Sequence, residues 1–125
     1  MKKIISTKNA PGAIGPYSQA VKTGNMLFTS GQVAIHPESG ELVMDDVQTE
    51  THQVMANLKA VLSEAGMTFD NVVKTSIFLQ DMNDFNAVNE VYASYFSSDF
   101  PARETVQVAC LPKSVNVEIS MIAFD

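Results

Sequence analysis

One arginine has the position and the chemistry to bind a small acid. Arg103 is the only arginine among the eight basic residues of this 125-residue chain, and it lies between a Pro-Ala turn and a predicted strand. A guanidinium held at the end of a sheet presents a planar fork, which binds a carboxylate through two hydrogen bonds. The alternative, to which we give equal weight, is a solvated ion pair with one of the fourteen acidic residues.

Three other segments are candidate parts of a site. Glu118 lies between Val117 and Ile119 in a predicted strand, where charge is uncommon, although a solvated polar face explains it equally well. Tyr17 lies in a turn-rich loop and offers a ring and a hydroxyl, or else packs as a lid on the core. Ser30-Gly31 offers a small-residue backbone that a ligand can approach closely, or else a β-bulge.

The composition argues against several other kinds of site. One cysteine forms no internal disulfide, and with two histidines it does not complete a zinc cluster. No phosphate-binding glycine loop or Gly-x-Ser-x-Gly motif is present. The net charge of −6 without a basic stripe argues against nucleic acid, and no apolar run is long enough to span a membrane. We therefore expect a cytoplasmic protein with no metal, cofactor, nucleic-acid or membrane partner.

The chain reads as a single domain, residues 1–125, in the order βββαβαββ. Strands are predicted over 3–6, 20–23, 25–32, 72–79, 104–110 and 115–124, and helices over about 46–65 and 84–96. Asp45 or Asp46 can cap the first helix and Gly66 can end it. The second helix carries one apolar stripe, comprising Phe85, Val88, Tyr92, Tyr95 and Phe96.

Alternation along the last strands predicts which side chains face the core. Val73, Thr75, Ile77 and Leu79 should share one face, as should Val106, Val108 and Cys110, and Val115 through Ala123 at every second position.

Two amphipathic helices and several strands predict a two-layer α+β domain, with both helices on one face of a mixed sheet. The second face then needs another cover, and a further subunit is the simplest one.

Together these segments resemble the RidA (YjgF-type) family of reactive-intermediate deaminases. The matching segments are Ala13 to Ala20, Phe28 to Gln32, Asn57 to Leu62 with Ala65-Gly66, Val73 to Thr75, Asp84-Phe85, Val88 to Tyr92, Phe100 to Arg103, Leu111 to Lys113 and Val117 to Ile119. The Pro-Ala-Arg turn followed by Val-Glu-Ile on the final strand is the most specific part.

The resemblance implies a chorismate-mutase-like fold and a homotrimer with ligand clefts between subunits. It also implies an enzyme of the 2-iminobutanoate/2-iminopropanoate deaminase type, which hydrolyses 2-imino and 2-enamino acids to 2-oxo acids and ammonia. By the same resemblance Arg103 holds the substrate carboxylate and Glu118 positions or activates the water. The implied binding residues are Tyr17, Ser30, Gly31, Asn89 and Thr105.

Two residues depart from the family pattern. Many members carry cysteine where this chain has Thr105, so any role of a thiol is absent here. Glu104 directly follows the arginine, where a small residue is common, and it would neutralise Arg103 if the strand bulged. Two alternatives to a deaminase stay open: a regulatory protein that binds a carboxylate metabolite in the same clefts, and a ribonuclease or translation inhibitor, which the acidic charge disfavours.

Overall fold

A computed structural model describes all 125 residues as one mixed sheet with two helices on one of its faces. The strands are β1 (Lys2–Ile5), β2 (Ala20–Thr23), β3 (Met26–Thr29), β4 (Val72–Leu79), β5 (Ala102–Gln107) and β6 (Val117–Phe124), and the helices are α1 (Val47–Glu64) and α2 (Phe85–Ala93). The strand order is β1-β2-β3-β6-β4-β5, and only β4 and β5 run parallel. The predicted element order and mixed α+β architecture are confirmed. Neither helix is long and apolar enough to cross a membrane.

Local sequence signals account for the turns and helix ends. Gly24 has a φ of +57° in the two-residue turn between β2 and β3, a conformation that glycine adopts without strain. The Asp46 carboxylate caps α1 by accepting a 2.7 Å hydrogen bond from the Thr49 amide, which lowers the pKa of Asp46. Gly66, at a φ of +75°, allows the chain to leave α1.

The hydrophobic core lies between the helices and one face of the sheet. The α1 side chains Val54, Leu58, Val61 and Leu62 are fully buried against Ile77 and Leu79 of β4 and Val117 and Ile119 of β6. The predicted alternation of β6 is confirmed, since every second residue from Val117 to Ala123 is buried. We call this the helix face of the sheet.

No element of the chain covers the opposite, open face of the sheet. Phe28, Val106 and Phe124 lie on it, and each is at least 40% exposed. Glu118, Ser120 and Ile122 of β6 are half-buried on the same face. The predicted uncovered face is therefore confirmed.

Two predictions of side-chain direction are wrong. A bulge between Val72 and Lys74 moves Val73 out of the alternation, so that it is 47% exposed instead of joining Thr75 in the core. Cys110 lies beyond the end of β5 and is exposed, and Val106 faces the open side. The apolar spacing of this strand therefore does not mark its core face.

The second helix is shorter than predicted. Helix α2 ends at Ala93, and the amides of residues 94–96 bond to carbonyls three residues back, which tightens the chain into 3₁₀ turns.

Candidate functional site

Arg103 lies on the edge strand β5, and helix α2 holds its guanidinium from one side. Its Nη1 donates a 2.6 Å hydrogen bond to Oδ1 of Asn89. The guanidinium carbon lies 5.3 Å from the ring centre of Tyr92 and 5.7 Å from that of Phe85, within the range of cation–π attraction. Since Phe85, Asn89 and Tyr92 recur at helical spacing, one stripe of α2 contacts the arginine.

A cavity of about 400 Å³, the arginine cavity, lies beside this guanidinium. It is lined by Asn89, Tyr92, Ala93, Phe100, Pro101 and Arg103. The two ion pairs of the chain join Lys22 to Asp125 and Lys74 to Glu104, so Arg103 takes part in neither. The alternative of a surface ion pair within the chain is therefore wrong, and a cation without an ion-pair partner borders a cavity with both polar and apolar walls.

Glu118 lies on the central strand β6 and points to the open face. Burial raises the pKa of its carboxyl group, because desolvation disfavours the charged form. Gly31 lies so close that a Cβ added there would be 2.6 Å from Glu118 Oε2 and 3.0 Å from Glu118 Cγ. The sequence suggested that a ligand could approach the Gly31 backbone closely, and in the structure the Glu118 side chain fills the space beside it.

A second cavity, of about 480 Å³, borders this carboxyl group, and we call it the glutamate cavity. Tyr17, Ser30, Gly31, Lys113 and Glu118 are among its lining residues. Tyr17 is 53% exposed, so it is not a lid on the core. Lys113 and Ser114 both adopt left-handed φ angles, +58° and +56°, and such strain in non-glycine residues is common beside functional sites.

Sequence reasoning missed three buried polar residues that support the glutamate cavity. The carboxylate of Glu50 on α1 accepts hydrogen bonds from the amides of Asn116 and Val117, which holds the start of β6. Gln19 clamps the N-terminal loop through Thr7 and Pro11. Asn57 donates to the carbonyls of Val33 and Ile35, two further residues of the cavity wall. Polar residues at helix positions facing the core were the available signal for Glu50 and Asn57.

The two cavities lie on opposite faces of the sheet. Arg103 pairs with Thr75 on β4, whereas Glu118 pairs with Phe78. Paired residues point to the same face, and positions three apart on a strand point to opposite faces. Within one chain, the predicted site residues therefore form two groups, with Arg103 and Asn89 in one and Tyr17, Ser30, Gly31 and Glu118 in the other.

Thr105 and Glu104 depart from the family pattern in different ways. Thr105 shares the helix face with Arg103, yet it does not line the arginine cavity, and its Oγ1 is buried without a hydrogen-bond partner. Glu104 points to the open face, where it accepts a hydrogen bond from Ser76 and lies 2.9 Å from Lys74 Nζ. These two partners lower the pKa of Glu104. Glu104 therefore does not neutralise Arg103.

No group of three or more histidine, cysteine, aspartate and glutamate side chains could hold a metal ion. The two histidines serve elsewhere: His52 shares a 2.7 Å hydrogen bond with the Tyr95 hydroxyl, and His36 accepts from loop amides. What the geometry offers is a fixed cation for an anion, an apolar wall and a half-buried carboxyl group.

Comparison with known proteins places this arrangement in a family. The family model described as Endoribonuclease L-PSP matches residues 7–125. Human 2-iminobutanoate/2-iminopropanoate deaminase is 50% identical over 98% of this chain and 90% of its own length. A RutC family protein of Pyrococcus horikoshii is 52% identical over 99% of this chain and 98% of its own length.

Solved structures agree in fold. Escherichia coli TdcF, solved with bound serine, superimposes with a TM-score of 0.94 at 45% identity, covering 98% of each chain. The E. coli YjgF gene product matches with the same TM-score at 46% identity and the same coverage. With a family model over nearly its whole length and relatives at half identity, this chain belongs to the RidA (YjgF-type) family.

Proposed function

We propose that the protein is a deaminase that hydrolyses reactive 2-imino and 2-enamino acids, such as 2-aminoacrylate, to 2-oxo acids and ammonia. The observation that carries the proposal is Arg103: a guanidinium held by Asn89, free of any ion pair in the chain, beside a cavity that is lined in part by the apolar residues Ala93, Phe100 and Pro101. Such a group selects a small carboxylate with a weakly polar remainder. The names of relatives about 50% identical support the same activity.

The residue types suit imine hydrolysis. The C=N carbon is already electrophilic, so the reaction needs a held carboxylate, a water molecule and a proton carrier rather than a covalent nucleophile. A 2-enamino acid first takes a proton on its β-carbon and becomes the protonated 2-imino acid. In the proposed step Glu118 accepts a proton from water as the water oxygen bonds to the C=N carbon, and the C=N π electrons become a lone pair on nitrogen. The protonated carboxyl returns that proton to nitrogen, which becomes an ammonium group on the tetrahedral carbon. The new hydroxyl group then gives its proton back to Glu118 as the C=O bond forms and the C–N bond breaks, so that the 2-oxo acid and ammonia leave, and ammonia takes the proton from Glu118. Burial raises the pKa of Glu118, which suits a group that must both accept and donate a proton.

The working site requires two copies of the chain. Arg103 and Glu118 point to opposite faces of one sheet, so neither can reach a substrate held by the other in the same chain. In the proposed homotrimer, the open face of one subunit, with Glu118, Gly31, Ser30 and Tyr17, meets the Arg103 side of the next. The exposed Phe28, Val106 and Phe124 on the open face supply apolar area for that contact.

The activity is tested by generating 2-aminoacrylate enzymatically and measuring the release of 2-oxo acid with and without the protein. We expect catalytic amounts of wild-type protein to accelerate release. Acceleration equal to that given by an unrelated acidic protein would refute the deaminase assignment. If the protein bound a carboxylate without turnover, the regulatory alternative would replace it, and cleavage of RNA by pure protein would support the ribonuclease alternative.

The two-copy site is tested by mixing two variants that are each expected to have much lower activity than wild type. Arg103→Ala and Glu118→Gln are unfolded together and refolded as a mixture. Random assembly joins an intact arginine side to an intact glutamate side at about a quarter of the sites, so we expect a similar fraction of wild-type activity to return. Each variant refolded alone is the control, and sedimentation reports the assembly. A mixture no more active than its components would contradict a site between subunits.

A further inference from the structure

Arg103 is an exposed residue, yet its guanidinium contacts three side chains of one helix. Asn89 accepts a hydrogen bond from Nη1, and the rings of Tyr92 and Phe85 lie 5.3 and 5.7 Å from the guanidinium carbon. An arginine on an edge strand otherwise samples many rotamers, which it must give up when it binds a ligand. These three contacts remove much of that freedom before any ligand arrives.

Tyr92 is itself anchored to the strand next to Arg103. Tyr92 is 3% exposed, and its hydroxyl donates a 2.9 Å hydrogen bond to Oγ1 of Thr75, a residue with no exposed surface. Thr75 is also the residue of β4 that pairs with Arg103 on β5. Arg103 on β5 thus contacts Tyr92, Tyr92 bonds to Thr75 on β4, and Thr75 pairs with Arg103, so each of the three residues contacts the other two.

We infer that Tyr92, anchored by Thr75 and assisted by Phe85, is a positioning residue that sets the plane of the Arg103 guanidinium for a carboxylate. Asn89 occupies one Nη1 donor, and the other N–H groups make no hydrogen bond within the chain. The remaining edge of the fork is thus presented toward the arginine cavity in one orientation. The geometric part of this inference stands alone, whereas its catalytic consequence rests on the proposed function.

The geometry can be tested without a ligand, because Arg103 is the only arginine. Its Nε–H group gives a single arginine signal in a ¹⁵N–¹H correlation spectrum. In wild type we expect that signal to be displaced by the ring currents of the two aromatic side chains and to relax as an ordered group. Tyr92→Leu should remove the part of the displacement that comes from the Tyr92 ring and should increase the mobility of the Nε–H group. An unchanged signal in this variant would overturn the inference.

Two milder variants distinguish a role of Tyr92 in positioning Arg103 from a role in stabilising the fold. Tyr92→Phe keeps the ring but leaves the Thr75 hydroxyl unpaired, and adding Thr75→Val removes that unpaired group. We expect the double variant to regain thermal stability while the arginine signal stays more mobile than in wild type. If the ordering returns together with the stability, the Thr75 anchor is only structural and that part of the inference fails. Phe85→Leu tests the second ring should Tyr92→Leu not fold.

The consequence for the ligand is measured as the Kd for 2-oxobutanoate. Tyr92→Leu should weaken binding about 3- to 30-fold, the range expected for the loss of a cation–π contact. Tyr95→Leu is the matched control, since Tyr95 lies one turn away and contacts His52 and Phe69 rather than Arg103. In the Arg103→Ala background, Tyr92→Leu should add no further loss. An additive loss would mean that the tyrosine acts on the fold or on the ligand directly.

The same measurements distinguish failure of this inference from failure of the proposed function. If Arg103→Ala weakens the binding of 2-oxobutanoate but Tyr92→Leu does not, the positioning role is wrong and the proposed function stands. If wild-type protein neither accelerates the release of 2-oxo acid nor binds 2-oxobutanoate, the proposed function is wrong, and if Arg103→Ala leaves binding and turnover unchanged, Arg103 is not the carboxylate clamp. In that case the spectrum of the single arginine still decides whether the rings hold the guanidinium.

Discussion

The two groups of site residues obtain their properties by opposite physical means. On the arginine side, an exposed side chain on an edge strand is ordered by an amide and two rings of α2. On the glutamate side, a half-buried carboxyl group on a central strand is crowded by Gly31 and partly stripped of water. The Arg103 guanidinium is therefore oriented by its neighbours while it stays accessible to solvent, whereas the Glu118 carboxyl group loses part of its solvation.

This difference matches what each group must do in the proposed reaction. A carboxylate clamp keeps its charge throughout, so its efficiency depends on where the fork points. A proton carrier changes its charge, so its efficiency depends on a pKa near the working pH. Variants that disrupt one side at a time should therefore differ in the kind as well as the size of their effects.

The largest effect is expected from Glu118→Gln, which removes the proton carrier but keeps the side-chain shape. We expect kcat to fall about 10²- to 10⁴-fold, the usual contribution of a positioned acid–base group, with little change in the Kd for 2-oxobutanoate. Turnover assays and calorimetric titration measure the two quantities. Unchanged turnover would remove Glu118 from the mechanism.

The same group predicts two pH dependences. Wild-type kcat should rise as the pH increases through the raised pKa of Glu118, and this pH-dependent rise should be absent in Glu118→Gln.

The stability of the fold should depend on the same carboxyl group. Because the folded state holds the Glu118 proton more tightly than the unfolded chain does, the contribution of Glu118 to stability is complete below its unfolded pKa and is lost as the pH rises through its folded pKa. Denaturant unfolding of wild type and Glu118→Gln should therefore give free energies of unfolding that converge below the unfolded pKa of Glu118 and separate as the pH rises through its folded pKa. A constant difference in the free energy of unfolding would contradict a raised pKa.

The next effect is expected from Arg103. Arg103→Ala should lower kcat/KM about 10- to 100-fold, since a charge-assisted contact contributes roughly 1.5–3 kcal/mol. Arg103→Lys keeps the charge but loses the planar fork and its stacking, so it should recover little of that loss. Steady-state kinetics with sedimentation as the folding control measure both. Wild-type kinetics in Arg103→Lys would exclude a two-point clamp.

A smaller effect is expected from Gly31→Ala, which adds a methyl group against the Glu118 side chain. The new Cβ would lie 2.6 Å from Oε2, so the carboxyl group must move, and displacements of about 1 Å cost up to about a hundredfold in rate. We expect kcat to fall about tenfold or more while the melting temperature changes little. Gly12→Ala is the matched control, since its Cβ would meet no atom within 4 Å. Equal effects of the two substitutions would argue against the close approach.

The smallest effect is expected from Glu104→Gln. Glu104 lies next to Arg103 in the chain but on the opposite face, paired with Lys74 and Ser76. The Kd for 2-oxobutanoate should therefore change less than about twofold, because screened charges on opposite faces interact weakly. Titration at low and moderate salt measures this. Markedly tighter binding by the variant would mean that Glu104 does compete for the guanidinium.

The sequence predicted strands well where the alternation of apolar residues agreed with turn-forming residues at the strand ends. β4 was predicted with its observed bounds, because β-branched alternation continued up to recognisable breaks, and the core face of β6 was correct throughout. β5 was misjudged because edge strands are not constrained by burial on both faces, so apolar spacing there does not report the core. The bulge at Val73 inserts one residue into the pairing, which alternation alone does not reveal.

The candidate site was predicted as a set of residues but not as an arrangement. Its members came from family motifs, since Arg103 and Glu118 each had an equally good solvated alternative in the sequence. The supports were missed because Glu50, Gln19 and Asn57 are polar residues whose burial depends on partners far along the chain. Tyr92 was assigned to an apolar stripe, and its hydroxyl and its contact with Arg103 became visible only in three dimensions.

The sequence by itself determined the element order, the two-layer architecture, the face of each helix and the residue types available for chemistry. These follow from local periodicity, turn chemistry and composition, which each short segment carries independently. Only the tertiary structure decided that Arg103 and Glu118 point to opposite sides of one sheet, and that one is held by rings while the other is desolvated. Strand pairing, a bulge and long-range burial set those facts, and each depends on residues that are distant in the chain.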